Sequence, residues 1–200
     1  MAAPLALPAA GASVGAGLAR NRSAVKVGTG LVTAAGSMMV LALLATYINV
    51  RHNTQGGWPP AGNDLGNYEG VTCAITLIVS LFTMEWGVWA VRREERRQAY
   101  GALAVTAIFG IAFVNELIYA TGKLGFGAAD HPFGTLIYAC FFAAGLLVTA
   151  ATIYVLVATA RYAGNQVDHE RPQLVRAAGF FWHFAAFAWF AIFLTLYYFR

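Results

Sequence analysis

Two hundred residues would suit one or two soluble domains, but with 59% hydrophobic and only 11% charged residues the chain has too little charge to solvate a soluble surface. The net charge of +4 does not describe a nucleic-acid-binding face, because the basic residues collect at the ends of long apolar runs, where they set membrane topology. The two cysteines, Cys73 and Cys140, lie inside such runs and read as reduced packing residues rather than a disulfide.

Residues 1–26 read as an N-terminal cytoplasmic tail. Pro4, Pro8, Gly11, Gly15 and Gly17 argue against a stable helix. Arg20, Arg22 and Lys26 follow the apolar stretch instead of preceding it, which is not the order of a signal peptide. The first predicted span covers about 27–50, and Gly28, Gly30, Ala34, Ala35, Gly36 and Ser37 give its first half a small-residue surface suited to close helix packing. The loop Arg51 to Asn67 contains Gly56-Gly57-Trp58-Pro59-Pro60, which turns the chain and excludes helix. His52 has no second metal ligand at a useful spacing.

The second span covers about 70–91 and carries Glu85, either a proton-relay carboxylate, an interhelical hydrogen-bond partner or an edge residue reaching the headgroups. The charged turn 92–98 reads as a solvated loop. The third span, about 100–120, contains Asn115 and Glu116. Neighbours on a helix diverge by about 100°, so one of the two is expected to face a helix partner. The fourth, about 133–160, has no charge inside, and Pro172 is expected to precede the fifth, about 174–199. That last span has one ionisable side chain, His183, which needs protein around it. His183 is predicted to hydrogen-bond a neighbouring helix and to bind no metal. The fold class is therefore all-α: a polytopic membrane protein with a bundle of five transmembrane helices. Ten of the thirteen Lys and Arg residues fall on the side of the N-terminus, which places that terminus in the cytoplasm and the C-terminus outside.

These letters contain no phosphate-binding loop, no nucleophile–base set and no metal-ligand cluster. Glu85, Asn115, Glu116 and His183 read as a few scattered buried polar residues, a pattern that suits a structural subunit better than a catalyst. A small membrane transporter using Glu85 and Glu116 is the alternative from another class.

Phe181-Trp182-His183-Phe184, with Trp189 further along and an aromatic run to the end, resembles the last helix of the cytochrome c oxidase subunit III family. Gly56-Gly57-Trp58-Pro59-Pro60 resembles the loop after the first span of its short, five-helix bacterial members. The resemblance implies a non-catalytic component of a haem-copper terminal oxidase in aerobic respiratory electron transport. Such a component stabilises the catalytic subunit and holds lipid. It implies no catalytic, metal or cofactor-binding residue in this chain. Haem and copper are expected in the partner catalytic subunit, and phospholipid is a candidate ligand. Glu85, Asn115, Glu116, Trp182, His183 and Trp189 are the structural, interhelical or lipid-facing candidates. The implied partners are the haem-copper oxidase catalytic subunit, other subunits of the complex and membrane lipids, without nucleic acid, in the bacterial cytoplasmic (inner) membrane. An accessory subunit of a nitric oxide reductase or another respiratory membrane enzyme is the alternative within the same class. The chain departs from the family pattern where that pattern is polar. Gly36 stands at a glutamate position, Ala144-Gly145-Leu146-Leu147 at a His-Gly-Leu-His motif, and Ala186 at an aspartate.

Overall fold

The computed structural model describes residues 10–55, 57–60, 65–164 and 172–198, with side chains from residue 24 onward and Pro172 excepted. These residues form five α-helices: α1 Ala10–Asn53, α2 Asn67–Arg92, α3 Arg96–Gly122, α4 Pro132–Ala163 and α5 Pro172–Tyr197. All five are long and apolar enough to cross a membrane. The observed ends lie within a few residues of the expected ones, because helix continues past the hydrocarbon edge until a turn stops it. The loop after α1 turns at Gly57, whose φ of +98° is open to glycine at no steric cost.

The first helix departs from expectation. It starts at Ala10 and runs for 44 residues, about 66 Å at 1.5 Å per residue, roughly twice the hydrocarbon thickness. The glycine-rich stretch from residue 10 to 26 is thus helical where composition predicts irregular chain. Glycine only raises the cost of helix, whereas proline removes a hydrogen bond, and no proline follows Pro8 before the loop. Residues 1–9 of the expected tail lie outside the described residues, as do 165–171 of the loop before α5 and the last two residues.

Helices α2, α3, α4 and α5 pack in that order into a closed four-membered ring, α5 returning to α2. Helix α1 lies outside the ring against α4 and α5 and touches neither α2 nor α3. Its inward positions follow a seven-residue repeat: Thr29, Thr33, Gly36, Val40, Leu43, Tyr47 and Val50. This is the seam of helices crossing at a shallow angle. Thr29 meets the Tyr154 hydroxyl at 3.1 Å on α4. At the other end the loop folds back, and Trp58 donates its indole N–H to the Tyr47 hydroxyl at 2.9 Å. The Trp58 ring stands edge-on to Phe133 at the start of α4, with centroids 5.1 Å apart. On the same end Lys123, just past α3, faces Glu69 at 3.7 Å. Its pKa is raised above the ordinary lysine value, first by a hydrogen bond with Tyr119 and then by the Tyr119 and Glu69 charges.

The ring has a filled axis. Trp182, Trp189, Phe113, Met84 and Leu103 are all enclosed. Phe113 on α3 and Trp189 on α5 meet edge-to-face across it with centroids 5.2 Å apart.

Candidate functional site

The Trp-His-Phe letters of α5 and Trp189 divide between two environments. Trp182 and Trp189 point into the ring, while His183 sits on the outward face. Trp182 is only 1% exposed and donates its indole N–H to Ser80 Oγ on α2 at 3.1 Å. The Ser80 hydroxyl passes its own hydrogen to the Leu77 carbonyl at 2.7 Å, so every polar hydrogen in this dry spot has an acceptor. The indole reaches that far because Gly110 of α3 leaves room: a Cβ there would lie 2.8 Å from the Trp182 ring and would also collide with Thr152. Beside it Thr83 and Thr106 join α2 to α3 at 2.9 Å. Trp189 is equally enclosed, but its indole nitrogen has no hydrogen-bond partner among the described residues.

The enclosed polar side chains are therefore Ser80, Thr106, Thr29, Thr152 and Thr195, not the four that sequence reasoning takes as buried. Glu85 has a side chain 63% exposed. Asn115 is exposed and Glu116 half-buried, and the polar contacts of His183 are to Gly179 and Glu85 instead. Small hydroxyl residues at helical spacing were the missed signal: they fit against tryptophan and each other while satisfying a carbonyl of their own helix.

Glu85 and His183 do come together. His183 Nε2 lies 3.4 Å from Glu85 Oε1, and Nδ1 lies 2.7 Å from the Gly179 carbonyl in its own helix. A carbonyl can only accept, so Nδ1 carries the hydrogen. The facing Nε2 and carboxylate oxygen are then both acceptors unless one more proton is shared between them, as imidazolium with carboxylate or as imidazole with carboxylic acid. The hydrogen bond of His183 thus stays within α5, and its link to the neighbouring helix is the 3.4 Å contact with Glu85. Nδ1 is held by the Gly179 carbonyl, and Nε2 faces the Glu85 carboxylate. Among the described residues no three of His, Cys, Asp and Glu are grouped to hold a metal.

This pair lies in a groove. Because α1 and α2 do not touch, the outward face of α5 lies between them. Arg176, Phe180, His183, Phe187 and Leu194 follow one another along that face at helical spacing, all exposed except the half-buried His183. Gly36 forms part of the α1 wall. A Cβ on it would lie 2.9 Å from the Phe184 ring and 3.3 Å from Leu147. Ala144, Leu147 and Ala186 are themselves buried.

The sequence pattern of cytochrome c oxidase subunit III matches residues 10–200. The chain belongs to the cytochrome c oxidase subunit III family. Among relatives, a probable cytochrome c oxidase subunit 3 of Mycobacterium tuberculosis (strain ATCC 25618 / H37Rv) is 27% identical over 179 residues, 88% of each chain. A probable cytochrome c oxidase subunit 3 of Nocardia farcinica is 25% identical over the same share of both. Cytochrome c oxidase subunit 3 of Thermostichus vulcanus is 26% identical over 80% of each. The protein is thus a multi-pass membrane protein of the subunit III type. Where the family resemblance places glutamate and the second histidine of its motif, this subunit III-like chain has Gly36 and Leu147, side by side. The contact there is close and apolar, and Phe184 closes it.

Proposed function

We propose that this chain is a non-catalytic subunit of a haem-copper terminal oxidase in the bacterial cytoplasmic membrane. It packs against the catalytic subunit, stabilises it and holds lipid against its outward groove, in aerobic respiratory electron transport. Its N-terminus is cytoplasmic and its C-terminus outside, from the asymmetry of Lys and Arg. Haem and copper belong to the catalytic partner.

One observation favours a scaffold over a transporter. The axis of the four-helix ring is plugged by Trp182, Phe113 and Trp189, so Glu85 and Glu116 do not line a path through it. Glu85 and Asn115 are instead exposed in the last third of their helices, where a polar group gains from a protein partner. The test is co-purification. A tagged full-length chain, solubilised gently, should bring down an oxidase catalytic subunit whose reduced-minus-oxidised spectrum shows haem. A nitric oxide reductase spectrum or a haem-free complex would move the chain to another membrane enzyme.

A further inference from the structure

We infer that the outward face of α2 is a docking seam for a transmembrane helix of another subunit, and that Glu85 and His183 together receive a Lys or Arg side chain from that helix. Val71, Ile75, Ile78, Phe82, Glu85 and Trp89 are all exposed, and their spacing alternates between four and three residues along α2. Such a seven-residue repeat is the seam by which one helix lies along another at a shallow angle. Helix α2 meets α3 and α5 with its other sides, so among the described residues no helix covers this stripe. Acyl chains would suit its apolar residues but not Glu85. A lone polar residue in an apolar seam fixes partner and register, and an acidic residue within a span almost always faces protein or a water-filled cavity.

The chemistry at Glu85 selects the occupant. Nδ1 of His183 donates to the Gly179 carbonyl at 2.7 Å, so Nε2 and Glu85 Oε1, 3.4 Å apart, are two acceptors set side by side. Among the described residues Glu85 has no Lys or Arg against it. An ammonium or guanidinium group laid over the pair donates to both and neutralises the carboxylate. The ammonium of a lipid headgroup stays at the bilayer surface, whereas Glu85 lies seven residues, about 10 Å along α2, inside its end at Arg92. A second copy of this chain is excluded by charge. Packed seam to seam about a two-fold axis, it would set Glu85 against Glu85 at one depth, where like charges repel. A basic side chain on a different membrane helix meets both requirements.

The seam deepens the proposed function and rests on its packing of this chain against another subunit, not on which enzyme that subunit serves. The photoreactive residue p-benzoylphenylalanine would replace Phe82 in the tagged full-length chain, in the membrane that houses its complex. Replacement of Phe142, a similarly exposed residue on α4, is the control. After irradiation the adduct is purified and the attached peptide sequenced by mass spectrometry. Position 82 should attach to a membrane-spanning segment of another subunit that has Lys or Arg within about two helical turns of the attachment point, and position 142 should not. Glu85→Gln should lower that adduct and the retained subunit about tenfold. Glu85→Lys, combined with the change of the identified basic residue to Glu, should restore both, which separates a lost ion pair from a lost fold. Attachment to lipid, to a second copy of this chain or to a segment without a basic residue would overturn the seam. So would the same peptide from position 142, a Glu85→Gln result within twofold of wild type, or a reversed pair that restores nothing. Recovery of haem-containing subunits is scored in the same samples. A basic segment captured in a haem-free complex would refute the oxidase partner while upholding the seam. A haem-containing subunit recovered without attachment at position 82 would uphold the partner and refute the seam.

Discussion

Removing the Ser80 hydroxyl should expose how much of the ring depends on one hydrogen bond. In the wild type the Trp182 indole N–H has a single acceptor, Ser80 Oγ at 3.1 Å, and both residues are enclosed. Ser80→Ala costs the serine nothing elsewhere, since its own hydrogen goes only to the Leu77 carbonyl, which keeps its place in the helix. It leaves the indole donor without a partner in a site that water does not reach. An orphaned buried donor costs about 1–3 kcal/mol, whereas side-chain hydrogen bonds in membrane proteins average about 0.6 with a maximum of about 1.7. The enclosure of this pair puts Ser80→Ala near the upper membrane value, about 1.5 kcal/mol. Trp182→Phe loses the donor and part of the ring, so it should cost more, about 2–3 kcal/mol. In the double variant no donor is left to orphan, and the serine-to-alanine step should then be nearly free. The coupling of the double-mutant cycle should be about 1.5 kcal/mol. Equilibrium unfolding in mixed micelles with increasing sodium dodecyl sulfate, followed by far-ultraviolet circular dichroism, measures all four corners. A coupling of zero within error, or a Ser80→Ala protein as stable as wild type, would show that the bond does not hold α5 to α2.

Other outcomes follow from the same packing. Trp189→Phe should cost clearly less than Trp182→Phe in that assay, because it removes a donor that has no partner and so offsets part of the cavity it leaves. Gly36→Glu should destabilise by about 1–3 kcal/mol, with a chain forced against Phe184 and Leu147, and should loosen α1 from α4 and α5, read as faster cross-linking or proteolysis of α1. Trp58→Phe should cost about 0.5–1.5 kcal/mol through the lost bond to Tyr47 and leave the ring intact, so the loss should appear in α1 and its loop by hydrogen exchange. Asn115→Leu should leave the isolated chain as stable as wild type while lowering the yield of co-purified catalytic subunit, if that exposed polar residue faces a partner.

The spans were legible because length and hydropathy decide them, and the Trp-His-Phe letters of α5 were enough to place the family. What was not legible depends on three-dimensional neighbours. Glu85 and His183 are 98 positions apart in number, and no local rule pairs them. They meet because α5 closes the ring onto α2. The polar residues that carry the interior are serine and threonine, whose letters look like ordinary helix filler until Trp182 and Gly110 are seen beside them. The seven-residue repeat from Thr29 to Val50 was readable in the sequence, but small residues and threonines mask it on any hydropathy scale. The helix through residues 10–26 was misread because glycine was weighed like proline. Gly36 and Leu147, two positions at which the family resemblance expects polar residues, lie against each other in the structure.

The central claim is that this chain is an architectural subunit of an oxidase. It is tested most directly by tagging the full-length chain, solubilising the membrane gently and recording the reduced-minus-oxidised spectrum and subunit content of what elutes. A haem-copper catalytic subunit should elute in fixed proportion to this chain, with haem bands in the eluate and none from this chain expressed alone. Elution as a lone, haem-free chain from membranes that contain active oxidase would contradict it.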